Sequence, residues 1–123
     1  MQLRGRVNSN LEATVDISVG APSGSKPTIS AVVDTGFTGY LTLSRTVIAS
    51  LGLQSRQVIQ AQLADGSYAR MRTYLAEVKW LGRDKRIIVC EGEGGPLLGM
   101  ALLDGCRLTV EAAVGGDVVI EPM

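Results

Sequence analysis

Short stretches in which apolar and polar residues alternate recur along almost the whole chain. Between Glu12 and Val19, the apolar residues Val15, Ile17 and Val19 occupy every second position, with polar residues between them. This period of two places the apolar side chains on one face of an extended strand. Similar runs predict the other strands, at Leu3–Val7, Ile29–Val33, Tyr40–Leu43, Val58–Leu63, Tyr68–Trp80, Arg86–Cys90, Arg107–Ala112 and Asp117–Glu121.

Helical signals are few and short. Ser44 is a favourable N-cap and Gly52 is a typical helix stop, so a helix is predicted over Arg45–Leu51. A second, shorter helix is predicted at Met100–Leu103. Many short strands with one or two small helices predict an all-β fold, a closed or nearly closed barrel, in a single domain spanning residues 1–123.

Turn signals in the sequence predict how the longer strands are connected. Asp65-Gly66 is the strongest signal for a two-residue hairpin, and it is predicted to join Val58–Leu63 to Tyr68–Trp80. A wider turn over Gly82–Lys85 is predicted to lead into the strand at Arg86–Cys90.

Charge and hydropathy narrow the range of partners. Lys and Arg total 12, Asp and Glu total 12, and the basic residues are scattered, which argues against nucleic acid as a partner. The longest apolar stretch, Pro96–Leu103, is too short to cross a bilayer, and the residues from Met1 to Arg6 lack the apolar core of a secretion signal. We therefore expect a cytoplasmic protein with no membrane partner.

Missing residue types exclude several chemistries. The chain has no histidine, so neither a Ser-His-Asp nor a Cys-His arrangement is possible. Its two cysteines, Cys90 and Cys106, are too few for a four-thiolate zinc site. They are predicted to be small buried thiols, and the alternative is a single disulfide between them. No metal or organic cofactor is implied, and carboxylates are the main acid–base groups that remain.

One carboxylate stands out by its position. Asp34-Thr35-Gly36 occurs once in the chain and directly follows the apolar run Ile29–Val33. A buried strand that ends in an ionisable group carries a desolvation cost, which indicates either chemistry or a local partner. The structural alternative is that Asp34 caps its own turn. If the chemistry needs two such carboxylates, the second must come from another copy of the chain.

The order of three motifs resembles that in the retropepsin-like aspartic proteases. Ala31–Gly36 comes first, the Asp65-Gly66 hairpin second, and Leu97-Leu98-Gly99 before a short helix third. The likeness is greatest to the small bacterial and archaeal single-domain members with Asp-Thr-Gly-Phe, and it extends from about Val15 to Val110. It implies a retropepsin-like barrel and a homodimeric aspartic endopeptidase acting on peptide or protein substrates.

The resemblance also implies roles for particular residues. Asp34 would be the catalytic acid, one from each subunit, and Thr35 would hydrogen-bond the matching turn of the partner. Gly36 would let the backbone approach the carboxylates, while Leu98 and Gly99 would pack behind the Asp34 turn. The flap that closes over the substrate would have its tip at Ala64, Asp65, Gly66 and Ser67.

Two features leave a second hypothesis open. Phe37 follows Gly36 where better-known members carry Ala or Ser, which removes a hydroxyl contact to the carboxylate, and the flap candidate is short. The alternative is a catalytically silent binding or dimerisation module that keeps the fold. For the homodimeric protease, the resemblance implies that the terminal strands, near Leu3–Val7 and Val118–Pro122, form the subunit interface.

Overall fold

Ten strands and two short helices make up the computed structural model, which describes all 123 residues. The strands are β1 (Leu3–Val7), β2 (Ala13–Gly20), β3 (Thr28–Val33), β4 (Leu41–Leu43), β5 (Gln54–Gln62), β6 (Tyr68–Trp80), β7 (Arg83–Glu91), β8 (Leu97–Leu98), β9 (Cys106–Val110) and β10 (Asp117–Pro122). The helices are α1 (Arg45–Leu51) and α2 (Met100–Leu103). Neither helix is long and apolar enough to cross a membrane.

The strands form a single sheet in the order β5-β6-β7-β4-β8-β3-β2-β1-β10-β9. An additional pairing between β2 and β6, with Val19 opposite Val78, closes six of these strands into a ring. The predicted all-β, closed or nearly closed fold with two short helices is confirmed. Strands β1, β10 and β9 extend the sheet beyond this ring, and the two ends of the sheet are β5 and β9.

The core is formed by the apolar side chains that alternate with polar ones along the strands. Val15, Ile17 and Val19 are all buried, as their spacing predicts, and they belong to a cluster of 19 buried apolar residues. Cys90 and Cys106 are free thiols, and burial raises the pKa of the Cys90 thiol.

Helix α1 has the predicted bounds for the predicted reasons. The Ser44 hydroxyl accepts a hydrogen bond from the Val47 N–H at 3.3 Å, which satisfies one of the free amides of the first turn. Gly52 ends the helix in the left-handed conformation, with φ of 64°.

Both hairpins of β6 differ from the sequence predictions. Five residues, 63–67, connect β5 to β6. Within them the Leu63 carbonyl accepts from the Gly66 N–H at 3.0 Å and the Leu63 N–H donates to the Ser67 carbonyl at 2.7 Å, which leaves a three-residue tip with Gly66 left-handed. The two-residue hairpin is instead Leu81-Gly82, because Trp80 pairs directly with Arg83. Strand β7 therefore starts at Arg83, and the predicted turn over Gly82–Lys85 is wrong.

Strand β5 and the terminal strands also differ from expectation. Strand β5 begins at Gln54 and is four residues longer at its start than the apolar pattern indicated. Strands β1 and β10 pair with each other inside the chain, with Leu3 opposite Ile120. Each also pairs with a second strand, β2 or β9, so neither has a free backbone edge for the interface expected there.

Candidate active site

Asp34 is the first residue after β3, and the sheet fixes its backbone. Strand β8 runs parallel to β3, with Val33 opposite Leu98, and the Asp34 N–H donates to the Leu98 carbonyl at 2.9 Å. The residue is half-buried, at the point where the apolar strand reaches the surface.

The turn after β3 organises the Asp34 carboxylate. The Gly36 N–H donates to Oδ1 of Asp34 at 2.9 Å, and the Phe37 N–H donates to the Asp34 carbonyl at 3.1 Å. The carboxylate thus caps its own turn, as the structural alternative holds, and this contact leaves its second oxygen available to an external group. A Cβ at Gly36 would lie 3.2 Å from Oδ1, while Thr35 is exposed beside it.

A cross-brace of backbone hydrogen bonds holds this turn from behind. The N–H groups at the start of α2 donate to the segment between Asp34 and β4: Gly99 to Tyr40 at 3.0 Å, Met100 to Phe37 at 2.8 Å and Ala101 to Gly39 at 3.1 Å. Strand β8 lies between β3 and β4, so this segment is tied to both strands at once.

Leu98 and Gly99 lie directly behind the turn. Leu98 is fully buried. A Cβ at Gly99 would lie 2.3 Å from the Gly39 carbonyl oxygen and 2.5 Å from the Phe37 ring. Backbone oxygens and one aromatic ring therefore exclude any larger residue at this position.

Thr42 is a supporting residue that sequence reasoning missed. It is 8% exposed on β4, and its hydroxyl accepts a hydrogen bond from the Leu97 N–H at 3.0 Å. This bond joins β4 to β8 next to the cross-brace. The only signal in the sequence is one polar residue between Leu41 and Leu43, which alternation treats as a surface position.

An open cleft of about 570 Å³ adjoins Asp34. Its walls come from the ends of β1, β2, β3, β8 and β9 and from the loop after β1. Besides Asp34, Glu12 is the one ionisable residue that lines it. The other lining residues are apolar: Val7, Leu11, Ala13, Val32, Val33, Leu97, Val110 and Ala112. Glu12 accepts a hydrogen bond from the Asn8 side-chain amide at 3.0 Å.

The predicted flap tip forms a separate exposed turn. Ala64, Asp65, Gly66 and Ser67 all lie at the end of the β5–β6 hairpin. The side chain and backbone N–H of Ser67 both donate to Oδ1 of Asp65, and these bonds hold the pKa of that carboxyl below its usual value. The structure thus brings Asp34, Thr35, Gly36, Leu98 and Gly99 together, and none of the hydrogen bonds around them involves the flap tip.

Structural comparison supports the fold. A crystal structure described as a retropepsin-like aspartic protease from Rickettsia conorii matches 98% of this chain and 89% of its own, with a TM-score of 0.64 and 20% identity. EIAV protease in complex with the inhibitor HBY-793 matches 76% of this chain and 86% of its own, with a TM-score of 0.52 and 16% identity. No protein-family model and no curated protein matches the chain. The chain therefore has a retropepsin-like fold.

Proposed function

We propose that this protein is an aspartic endopeptidase that works as a homodimer, with one Asp34 from each subunit. The observation that carries the proposal is the half-buried Asp34 carboxylate, held in a braced turn beside an apolar cleft. The retropepsin-like fold of the chain adds support.

The chemistry requires two such carboxyl groups close together. Two ionised carboxylates about 3 Å apart repel by about 5 kcal/mol at an effective dielectric near 20. Such a pair therefore keeps a single shared proton over a broad acid range. One oxygen is then a base while its neighbour is an acid, so a single site supplies both functions without histidine.

The proposed reaction begins with water held between the two Asp34 side chains. The ionised carboxylate takes a proton from this water while the oxygen of the water bonds to the peptide carbonyl carbon. The protonated carboxyl of the partner gives its proton to the carbonyl oxygen. The first proton is then transferred to the amide nitrogen, and the C–N bond breaks as one of the two hydroxyls on the carbon returns its proton to the partner's carboxylate. This releases an amine and a carboxylic acid and restores the single shared proton of the pair.

Asp34→Asn is the decisive substitution. It keeps the shape and the Gly36 hydrogen bond but removes the titrating group, so we expect cleavage of a mixed peptide library to fall by about 10³-fold or more while folding is retained. Cleavage is measured by mass spectrometry over about pH 4 to 7, beside sedimentation of the same samples. Asp84→Asn, the same change at an exposed position near the start of β7, is the matched control.

Two results would refute the proposal. Undiminished cleavage by Asp34→Asn would assign the activity to another group, for which Glu12 in the same cleft is the first candidate. Full activity in a strictly monomeric sample would remove the need for a second Asp34.

A catalytically silent module is the second candidate function, and Phe37 favours it. The Phe37 ring packs against Gly39 and Gly99, and no side-chain hydroxyl of the chain bonds the Asp34 carboxylate. Under this alternative, wild type and Asp34→Asn form the same assembly, and neither cleaves any peptide of the library.

A further inference from the structure

A second carboxylate shares the cleft with Asp34 and has no cation beside it. Glu12 is the one other ionisable residue among the ten that line the cleft, and the chain contributes no lysine or arginine there. None of the four ion pairs of the chain involves Glu12 or Asp34. Two acids in an otherwise apolar cleft give it a negative potential, which favours a cationic ligand.

Asn8 uses both its backbone and its side chain to fix the loop that carries Glu12. The Asn8 N–H donates to the Glu12 carbonyl at 2.9 Å, and the Asn8 carbonyl accepts from the Leu11 N–H at 3.0 Å. Oδ1 of Asn8 accepts from the N–H groups of Asn10 at 3.0 Å and Glu12 at 2.9 Å, while the side-chain amide donates to Oε1 of Glu12 at 3.0 Å. These bonds hold Glu12 in place and leave its second carboxylate oxygen free to accept from a ligand.

Leu11, the residue before Glu12, has a costly backbone conformation at the open side of the cleft. Its φ of 60° is uncommon for any residue other than glycine. Its side chain lines the cleft although it is 69% exposed. Strained residues persist where the surrounding structure over-determines them, and they cluster at sites that hold ligands. The bonds of Asn8 supply that constraint, so the loop presents an apolar wall directly beside an acid.

This lining matches a side chain that is apolar along its length and cationic at its end. Lysine and arginine pack their methylene stems on apolar surface, such as that of Leu97 and Val110 here, while the charged head reaches a polar partner. We propose that Glu12 is a specificity-determining residue, which selects a lysine or arginine of the peptide next to the bond that is cleaved. This inference rests on the proposed function, because Asp34 in the same cleft is the group that would act on the peptide.

Matched peptides test the selection in the wild-type protein. A sequence that the protein cleaves is made with lysine, norleucine or glutamate at each residue flanking the cut. Every peptide has an acetylated N-terminus, so only the lysine side chain supplies an amine, and norleucine has the stem of lysine without its charge. At the selected position we expect kcat/KM to be about tenfold higher with lysine than with norleucine, the effect of one charge-assisted hydrogen bond, and lowest with glutamate.

Two variants of Glu12 assign the preference to this side chain. Glu12→Gln keeps an oxygen that can accept from Asn8 and removes the charge, so the lysine-to-norleucine ratio of kcat/KM should fall to about one. Glu12→Lys reverses the charge and should favour glutamate over norleucine. Asp84→Asn, which removes a carboxylate outside the cleft, is the matched control and should keep the wild-type ratio. A lysine preference that survives Glu12→Gln would overturn the proposal.

A binding measurement separates this inference from the proposed function. Fluorescence anisotropy gives the affinity of wild type and Asp34→Asn for N-terminally labelled apolar peptides that carry a single lysine, norleucine or glutamate. Cleavage without a lysine preference would refute the role of Glu12 and leave the homodimeric protease standing. A lysine preference in binding that Glu12→Gln abolishes, with no cleavage by wild type, would refute the proposed function and support the selectivity of the cleft. If wild type neither cleaves any peptide nor prefers lysine in binding, both proposals fail.

Discussion

Two turns of this molecule share one local motif and differ in everything around it. In each, an aspartate accepts a hydrogen bond at 2.9 Å from the backbone N–H two residues later: Gly36 to Asp34, and Ser67 to Asp65. The Asp65 turn is exposed at the end of a hairpin, and its other backbone bonds are those of its own loop. In the Asp34 turn, Asp34 itself is half-buried, and the turn is braced by β8 and α2.

Local turn chemistry therefore does not by itself mark a functional site. Both aspartates satisfy the same backbone requirement, so an Asp-x-Gly or Asp-Gly pattern alone indicates only a turn. The difference comes from residues far along the chain, Leu98 to Ala101, which fix the backbone around Asp34. A fixed carboxylate suits catalysis, whereas a free-standing tip suits a part that has to move.

The largest stability effect is expected from breaking the brace. Gly99→Ala would place a methyl group 2.3 Å from the Gly39 carbonyl oxygen, a backbone clash that no rotamer relieves, and should lower the free energy of unfolding by about 3 kcal/mol. Urea denaturation measures the loss. Gly95→Ala is the matched control, because nothing lies within 4 Å of its added Cβ. Equal stability of the two variants would show that the brace is not tightly packed.

A smaller loss in the free energy of unfolding is expected from a substitution at the tip of the β5–β6 hairpin. Gly66 has φ of 88° with nothing within 4 Å of an added Cβ, so Gly66→Ala introduces backbone strain without a clash. We expect a cost of about 1 kcal/mol in the same denaturation experiment. A loss as large as that of Gly99→Ala would mean that the tip is as tightly integrated as the Asp34 turn, and the contrast between the two would fail.

The smallest expected effect is a shift in the pKa of Asp65 when its hydrogen bond from Ser67 is removed. The Ser67 hydroxyl is the main cause of the lowered pKa of Asp65, so Ser67→Ala should move that pKa back toward its ordinary value of 3.8. Because the pKa is depressed in the folded chain, the bond stabilises the tip above pH 3.8 and is lost as the pH falls through the lowered value. An NMR titration of the Asp65 carboxyl measures the shift. Ser55→Ala, which removes a hydroxyl elsewhere on β5, should leave it unchanged.

The sequence predicts the parts of the fold that local patterns determine. The bounds of α1 follow from Ser44 and Gly52, because a cap and a left-handed stop act within one turn. Strand β2 follows from alternation, since one of its faces is core. The position of Asp34 after β3 is also visible, because the apolar run ends directly before it.

Features that depend on pairing between distant strands cannot be predicted from such local patterns. The hairpin after β6 puts Leu81 at φ of 49°, an unfavourable conformation that the direct pairing of Trp80 with Arg83 maintains. The polar start of β5 is a strand because it pairs with β6, with Gln54 opposite Leu75, and no apolar pattern reveals it. The role of Thr42 likewise depends on a strand more than fifty residues away.

The seam between β2 and β6 has a kinetic consequence. It consists of only three residue pairs, among them Ser18 with Lys79, and joins segments about sixty residues apart in the chain. Closing so distant a contact costs loop entropy before much packing is gained. Closure of the ring is therefore expected to come late in folding, after the local hairpins have formed.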